Sequence, residues 1–133
     1  MISGKPKAYR VNAPAKINIG LRVLSKRKDG FHNIETIFYP IEIYDRLKIS
    51  IEKLPYTAAA NRIIVKANSE LKIENEKNIC YRAVKMFMDR FKFKDFYKFS
   101  VQIKKNIPTG AGLGGGSSDA ACVLKVLAKH FRL

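Results

Sequence analysis

Residues 108–121 read Pro108-Thr109-Gly110-Ala111-Gly112-Leu113-Gly114-Gly115-Gly116-Ser117-Ser118-Asp119-Ala120-Ala121 and hold five of the chain's eight glycines. An extended run at 96–104 precedes them. An apolar stripe at helical spacing follows, through Ala120, Val123, Leu124, Leu127 and Phe131, so the unit is strand, loop, helix. Glycines tolerate positive φ and close approach, which lets successive backbone N–H groups converge on an anion in front of the positive end of a helix. The predicted ligand is phosphate. Ser117 or Ser118 is the expected N-cap of a helix over about 117–131, and either hydroxyl can reach phosphate or Mg²⁺.

Spacing separates the phosphate-loop classes. A Walker loop needs Gly-Lys-Ser/Thr after its spacer, and no lysine lies between Lys105 and Lys125. Gly110, Gly112 and Gly115 satisfy GxGxxG, but only 18 residues follow Gly115, too few for the acidic residue a dinucleotide site places about 20 positions on. A protein-kinase loop joins two strands, whereas this one opens a helix.

Upstream of the loop, Ile79, Ala83, Met86, Phe87 and Phe91 recur three or four apart from Asn78 onward, predicting an amphipathic helix capped by Asn78. Residues 8–12 and 15–24 are predicted strands, the second from Ile17, Ile19, Leu21 and Val23 alternating with Lys16, Asn18, Gly20 and Arg22. That alternation predicts one apolar and one polar face. Asp29-Gly30 predicts a hairpin turn. A strand resumes near Phe31 and continues to Ile43, with an edge or bulge at Pro40. Further strands are expected at 46–52 and 61–67. Consecutive strands with helices added late make an α+β fold with a mixed, largely antiparallel sheet packed with helices.

With 133 residues, 47% of them hydrophobic and 28% charged, the chain suits one folded domain over 1–133 rather than a disordered one. No apolar stretch is long enough to span a bilayer and no apolar segment follows the first basic residues, so no membrane is expected and the predicted location is cytoplasmic. Cys80 and Cys122 lie far apart with only His32 and His130 for company, which predicts reduced structural thiols and no zinc motif. The formal charge of +15 favours anionic partners. Residues 1–66 carry 13 basic and 5 acidic side chains and residues 67–133 carry 13 and 6, so the charge is spread along the chain.

Pro-x-x-x-Gly-Leu-Gly with Ser-Ser and Ala-Ala resembles the ATP loop of the small-molecule kinases that include galactokinase, homoserine kinase and mevalonate kinase, the GHMP kinases. Pro14-Ala15-Lys16-Ile17-Asn18 and Asp29-Gly30-Phe31-His32 extend the resemblance over residues 14–121. It implies the N-terminal, ATP-binding lobe of such a kinase, similar in fold to domains of ribosomal proteins. The implied activity is transfer of the γ-phosphoryl group of ATP, with Mg²⁺, to a hydroxyl of a cytidyl diphosphate of methylerythritol in non-mevalonate isoprenoid synthesis.

The resemblance implies a role for each matching residue. Lys16 sits beside the reacting hydroxyl, where its ammonium favours an ionised carboxylate and offsets developing charge, and Asn18 binds substrate. His32 hydrogen-bonds the cytosine edge and Phe31 stacks on the base. Pro108, Gly110, Gly112, Leu113, Gly114, Gly115, Gly116, Ser117 and Ser118 hold ATP, with Ser117 toward Mg²⁺, and Asn78 and Lys105 lie near the nucleotide. Asn78 serves equally as a helix cap and Lys105 as a strand-end charge.

Such kinases are about twice as long, with their general base in a later segment and a second lobe. The expectation is therefore a truncated form without that base or lobe. Asp119 is read as a first-turn carboxylate favouring the helix dipole, not as the base. Two alternatives compete: a basic RNA-binding α+β module, with Phe91, Phe93, Phe96, Tyr97 and Phe99 interleaved with lysines, and a non-catalytic phosphate-binding fragment. The aromatics are expected in the core, and small molecules rather than nucleic acid are the expected partners. No oligomeric state is specified.

Overall fold

The computed structural model describes residues 4–68 and 75–133. Strand β1 (Lys7–Lys26) and strand β2 (His32–Lys53) form a long antiparallel hairpin. Strand β3 (Arg62–Ala67), a 3-10 turn (Asn75–Lys77), helix α1 (Ile79–Phe91), strand β4 (Tyr97–Lys104) and helix α2 (Gly115–Phe131) follow. The sheet order is β1-β2-β4-β3, antiparallel except for the β3–β4 pair. This is the mixed α+β architecture that the order of the elements implied.

The hairpin's inner half builds the core. Leu47, Ile49 and Ile51 alternate inward on β2, Phe99, Val101 and Ile103 on β4, and α1 and α2 lie across them through Ala83, Val84, Phe87, Val123 and Leu127. A fully buried branched or aromatic side chain contributes about 1.5–3 kcal/mol. Phe87, Phe93, Tyr97 and Phe131 gather where α1 turns back into β4, with Phe93 and Phe131 stacked 4.1 Å apart. The aromatics that a nucleic-acid surface would need for stacking are thus largely spent on packing.

Several boundaries move from their expected places. The strand segments 8–12 and 15–24 are one strand, and the segments on either side of Ile43 are another. Between Pro14 and Ala15 the register shifts, with Pro14 opposite Tyr44 and Ala15 opposite Ile41. The bulge next to Pro40 keeps the ladder on both sides while re-aiming it. The apolar alternation of Ile17, Ile19, Leu21 and Val23 marks a real strand, yet all four are exposed, because β2 pairs with β4 only from Arg46 to Lys53 and, among the described residues, no helix covers the outer ribbon. Gly20, at φ +62, falls inside a second register shift on that ribbon.

Both cysteines are free, Cys80 buried and Cys122 half-buried. Among the described residues no helix is long and apolar enough to cross a membrane.

Candidate functional site

The glycine loop sits where the bulged part of β1 meets the start of α2. Gly110, Gly112 and Gly114 all have positive φ, of +76, +73 and +71. Helix α2 begins at Gly115, two to three residues before the expected start, with Gly114 as N-cap and no side-chain cap. Ser117 and Ser118 therefore lie within the first turn and do not cap it. The reason is tertiary: Gly115 is pressed so close to Ile107 that a Cβ would stand 2.9 Å from its Cγ2. A first turn lacking a side-chain cap keeps N–H groups available for an anion.

Lys16 ties the loop to the sheet. Its backbone N–H donates to Leu113 O at 2.9 Å, and its Nζ donates to Gly112 O at 2.8 Å and to Asn18 Oδ1 at 2.5 Å. Two of the three ammonium donors are engaged. The Phe38 ring lies 5.3 Å from Nζ. A Cβ on Gly114 would meet Lys16 Cε at 3.1 Å and Cγ at 3.2 Å, so any larger residue there would have to displace this side chain.

Two clefts open on either side of Gly114. The larger, about 450 Å³, is lined by residues 108–117 together with Asn78, Lys105 and Asp119. The other, about 430 Å³, is lined by Lys16, Phe38, Pro40, Gly114, Ser117 and Ser118. Asn78 is the α1 cap, its Oδ1 accepting from Cys80 N at 2.8 Å. It also lines the larger cleft, so its two expected roles are compatible.

Below the loop lies a cluster that sequence reasoning missed. Asp45 is fully buried, and its Oδ1 accepts the backbone N–H groups of Asn106 (2.6 Å) and Ile107 (2.9 Å). Its Oδ2 accepts from Lys105 Nζ, which also donates to Asp119 Oδ2 at 2.9 Å. Lys105 is thus committed to two carboxylates rather than standing as a solvated strand-end charge. Asp119 is buried at 2% exposure, beyond the first turn of α2, and its Oδ1 has no partner. Its expected dipole role is replaced by this ion pair.

The three groups titrate in different directions. Burial pushes the Asp119 carboxyl up to about 6 against the pull of Lys105. Burial also pushes Asp45 upward, but the Ile107 N–H, the Lys105 ammonium and the Asn106 N–H outweigh it and hold the carboxyl below its ordinary value. Burial disfavours the Lys105 ammonium, yet its bonds to Asp45 and Asp119 raise it above its ordinary value. The signal for Asp45 was an acidic residue at an inward position of an alternating strand, in line with Leu47 and Ile49.

Phe31 and His32 lie elsewhere. Lys26 pairs with His32 and Lys16 with Pro40, so about ten residues of strand, roughly 33 Å if straight, separate them from Lys16. Phe31 is 72% exposed at the hairpin tip, and neither residue lines the two clefts. His130, which no motif supported, hydrogen-bonds Tyr9 through Nδ1 at 2.9 Å.

Residues 78–133, which include the glycine loop and the start of α2, match the family described as GHMP kinases N terminal domain. Over nearly its whole length the chain resembles 4-diphosphocytidyl-2-C-methyl-D-erythritol kinases. It is 44% identical to the one from Caldicellulosiruptor bescii over 124 residues, which are 93% of this chain and 41% of the relative. It is 41% identical to the one from Clostridium botulinum over 123 residues, 92% of this chain and 41% of the relative. A crystal structure of 4-(cytidine 5'-diphospho)-2C-methyl-D-erythritol kinase superimposes with TM-score 0.67 at 33% identity, covering 92% of this chain and 41% of that one. The chain therefore spans about two fifths of the length of the relatives it matches.

Proposed function

We propose that residues 1–133 form the ATP-binding domain of a kinase that transfers the γ-phosphoryl group of ATP to a hydroxyl of 4-diphosphocytidyl-2-C-methyl-D-erythritol, in the cytoplasm. The observation that carries this reading is the pair of clefts that share Gly114 and Ser117 as their common wall, one bounded by the glycine loop and the other by Lys16. Phosphoryl transfer needs positioning and charge stabilisation more than covalent chemistry. At Gly114 that wall has no side chain, the thinnest partition a chain can place between donor and acceptor.

In this reading the triphosphate lies in the larger cleft against the N–H groups of Gly115, Gly116 and Ser117, with Pro108, Gly110, Gly112 and Leu113 shaping the cradle. Asn78 faces the nucleoside. Lys105 acts from beneath, holding the loop through Asp45. The remaining Lys16 donor and the Asn18 amide meet the acceptor hydroxyl across Gly114, and the ammonium offsets negative charge as it develops. His32 and Phe31 would meet the cytosine of the same substrate only with the bulged ribbon folded back toward Lys16, since a straight ribbon holds them beyond its reach.

The oxygen donors at the loop fit a hard divalent cation: Ser117 lines both clefts, and Asp119 Oδ1 is buried without a partner on the wall of the larger one. These two residues would hold Mg²⁺, which supplies charge neutralisation on the phosphate oxygens. Among the described residues no carboxylate lines the second cleft, so none of them stands in its wall as a base for the hydroxyl proton, and the chain alone is expected to bind nucleotide with little turnover.

The test is calorimetric titration of the chain with Mg-ATP, with and without the cytidyl substrate, repeated for Gly114→Val. Saturable ATP binding lost in the variant is the expected result. Failure of the wild-type chain to bind ATP at millimolar concentration would remove the reading.

A further inference from the structure

The basic residues that look scattered along the sequence converge on the side of the sheet away from the helices. Cross-strand pairing puts Arg10 opposite Lys48, Lys48 opposite Gln102 and Gln102 opposite Lys66. The next row places Asn12, Arg46 and Lys104 side by side. A further row holds Glu52, Lys98 and Arg62. These positions alternate with the inward set of Leu47, Ile49, Val101 and Ile103, on which both helices pack, so neither helix covers them. Seven cations thus share the face with Glu52, and Glu42 lies at its edge in a small pocket beside Asn12 and Arg46; none of the seven forms an ion pair with a described residue.

Strands about 4.8 Å apart and same-face residues about 7 Å apart along each strand make this a dense lattice of charge. A shallow groove of about 660 Å³ crosses all four strands, lined by the first two rows. Among the outward residues of these rows and the one between them, the apolar ones are Ala8 and Ile64. That is too little to anchor in a lipid interface, which needs apolar side chains beneath its basic ones. Asn12 and Gln102 instead offer amide donors between the cations.

We propose that this open face of the sheet docks single-stranded nucleic acid through its phosphate backbone. The strand lies in the groove across β1, β2, β4 and β3, its phosphates against Arg10, Arg46, Lys48, Lys66 and Lys104. No aromatic side chain stands in these rows to stack on bases, so recognition is of charge and not of sequence, with affinity in the micromolar range. The surface is separate in role from the glycine loop and does not depend on the kinase reading.

Fluorescence anisotropy with a labelled 20-nucleotide oligouridine, titrated with the full chain at several salt concentrations, tests the proposal. Five phosphate contacts predict a loss of about 100-fold in affinity between 50 and 200 mM salt. Two triple variants with the same change in net charge locate the site. Lys48→Glu, Lys66→Glu and Lys104→Glu together should weaken binding at least about 30-fold and roughly halve the salt slope. Lys94→Glu, Lys125→Glu and Lys129→Glu together, all exposed, the first in the turn after α1 and the other two on α2, should weaken it no more than about threefold. Circular dichroism checks that both fold.

Equal losses in the two variants would overturn the proposal, since net charge alone would then account for binding. It would fall equally if the wild-type chain bound phosphatidylserine vesicles but left oligouridine free at 50 mM salt.

Discussion

Replacing Gly114 by alanine isolates the contact on which the site geometry rests. Alanine at φ +71 pays for a left-handed conformation, about 1–2 kcal/mol. Its Cβ would also stand 3.1 Å from Lys16 Cε and 3.2 Å from Cγ. The flexible lysine must swing aside, releasing Nζ from Gly112 O and Asn18 Oδ1, which at a half-exposed site is worth about 1 kcal/mol. The expected total is about 2–3 kcal/mol. Gly110→Ala is the control, because Gly110 has φ +76 with nothing within 4 Å of an added Cβ, and only the conformational cost should remain. Urea denaturation of both variants, alone and with Lys16→Ala, gives the coupling directly as a double-mutant cycle. A coupling of about 1 kcal/mol is expected for Gly114 with Lys16 and none for Gly110. If both glycines behave alike, the loop does not depend on its approach to Lys16, and the division of the clefts by a bare backbone loses its physical basis.

Lys105→Met leaves Asp45 and Asp119 buried without their cation and should cost about 3–5 kcal/mol in chemical denaturation; a loss below about 1 kcal/mol would show that the pair is not coupled. Asp119 has a second signature. With its carboxyl at about 6 in the folded chain against an ordinary 3.8, the folded state binds the proton more tightly. The resulting stabilisation is fully present below pH 3.8 and disappears as pH rises through 6. Wild-type stability relative to Asp119→Asn should therefore increase by about 2 kcal/mol from about pH 7.5 to about pH 4.5, whereas Asp45, shifted downward, acts only at lower pH. A difference that does not change with pH contradicts this. Asn78→Ala removes the α1 cap and should lower the melting temperature by the equivalent of about 1 kcal/mol, while Asn78→Ser retains most of it.

What the sequence disclosed follows the range of each interaction. The Asn78 cap, the Asp29-Gly30 turn and the strand-to-helix change around the loop depend on neighbours a few residues away, and all stand where their local chemistry places them. The start of α2 does not. Two serines ahead of an apolar stripe are a good local cap, but packing of Gly115 on Ile107 and Asp45 pulls the helix forward and leaves them inside its first turn. Asp45 lies 60 residues from its Lys105 partner, a pairing that no spacing rule anticipates. The apolar alternation at 17–23 correctly announced a strand, but whether its apolar side is covered depends on what lies across it. Likewise an even distribution of charge along the chain became uneven in space once β1, β2, β3 and β4 aligned their outward positions.

The unequal length of the hairpin and the rest of the sheet grades the chain's rigidity along one continuous pair of strands. From Lys7 to Asn12, β1 is anchored through a neighbour that β4 braces in turn, so amide deuteration there requires opening close to global unfolding. From Ile17 to Lys26 the same strand has a single partner with no strand behind it, and an unsupported two-stranded ribbon has little stability of its own. Solvent isotope should enter the tip long before the base, and whatever molecule settles on Phe31 and His32 must supply the ordering that the sheet does not.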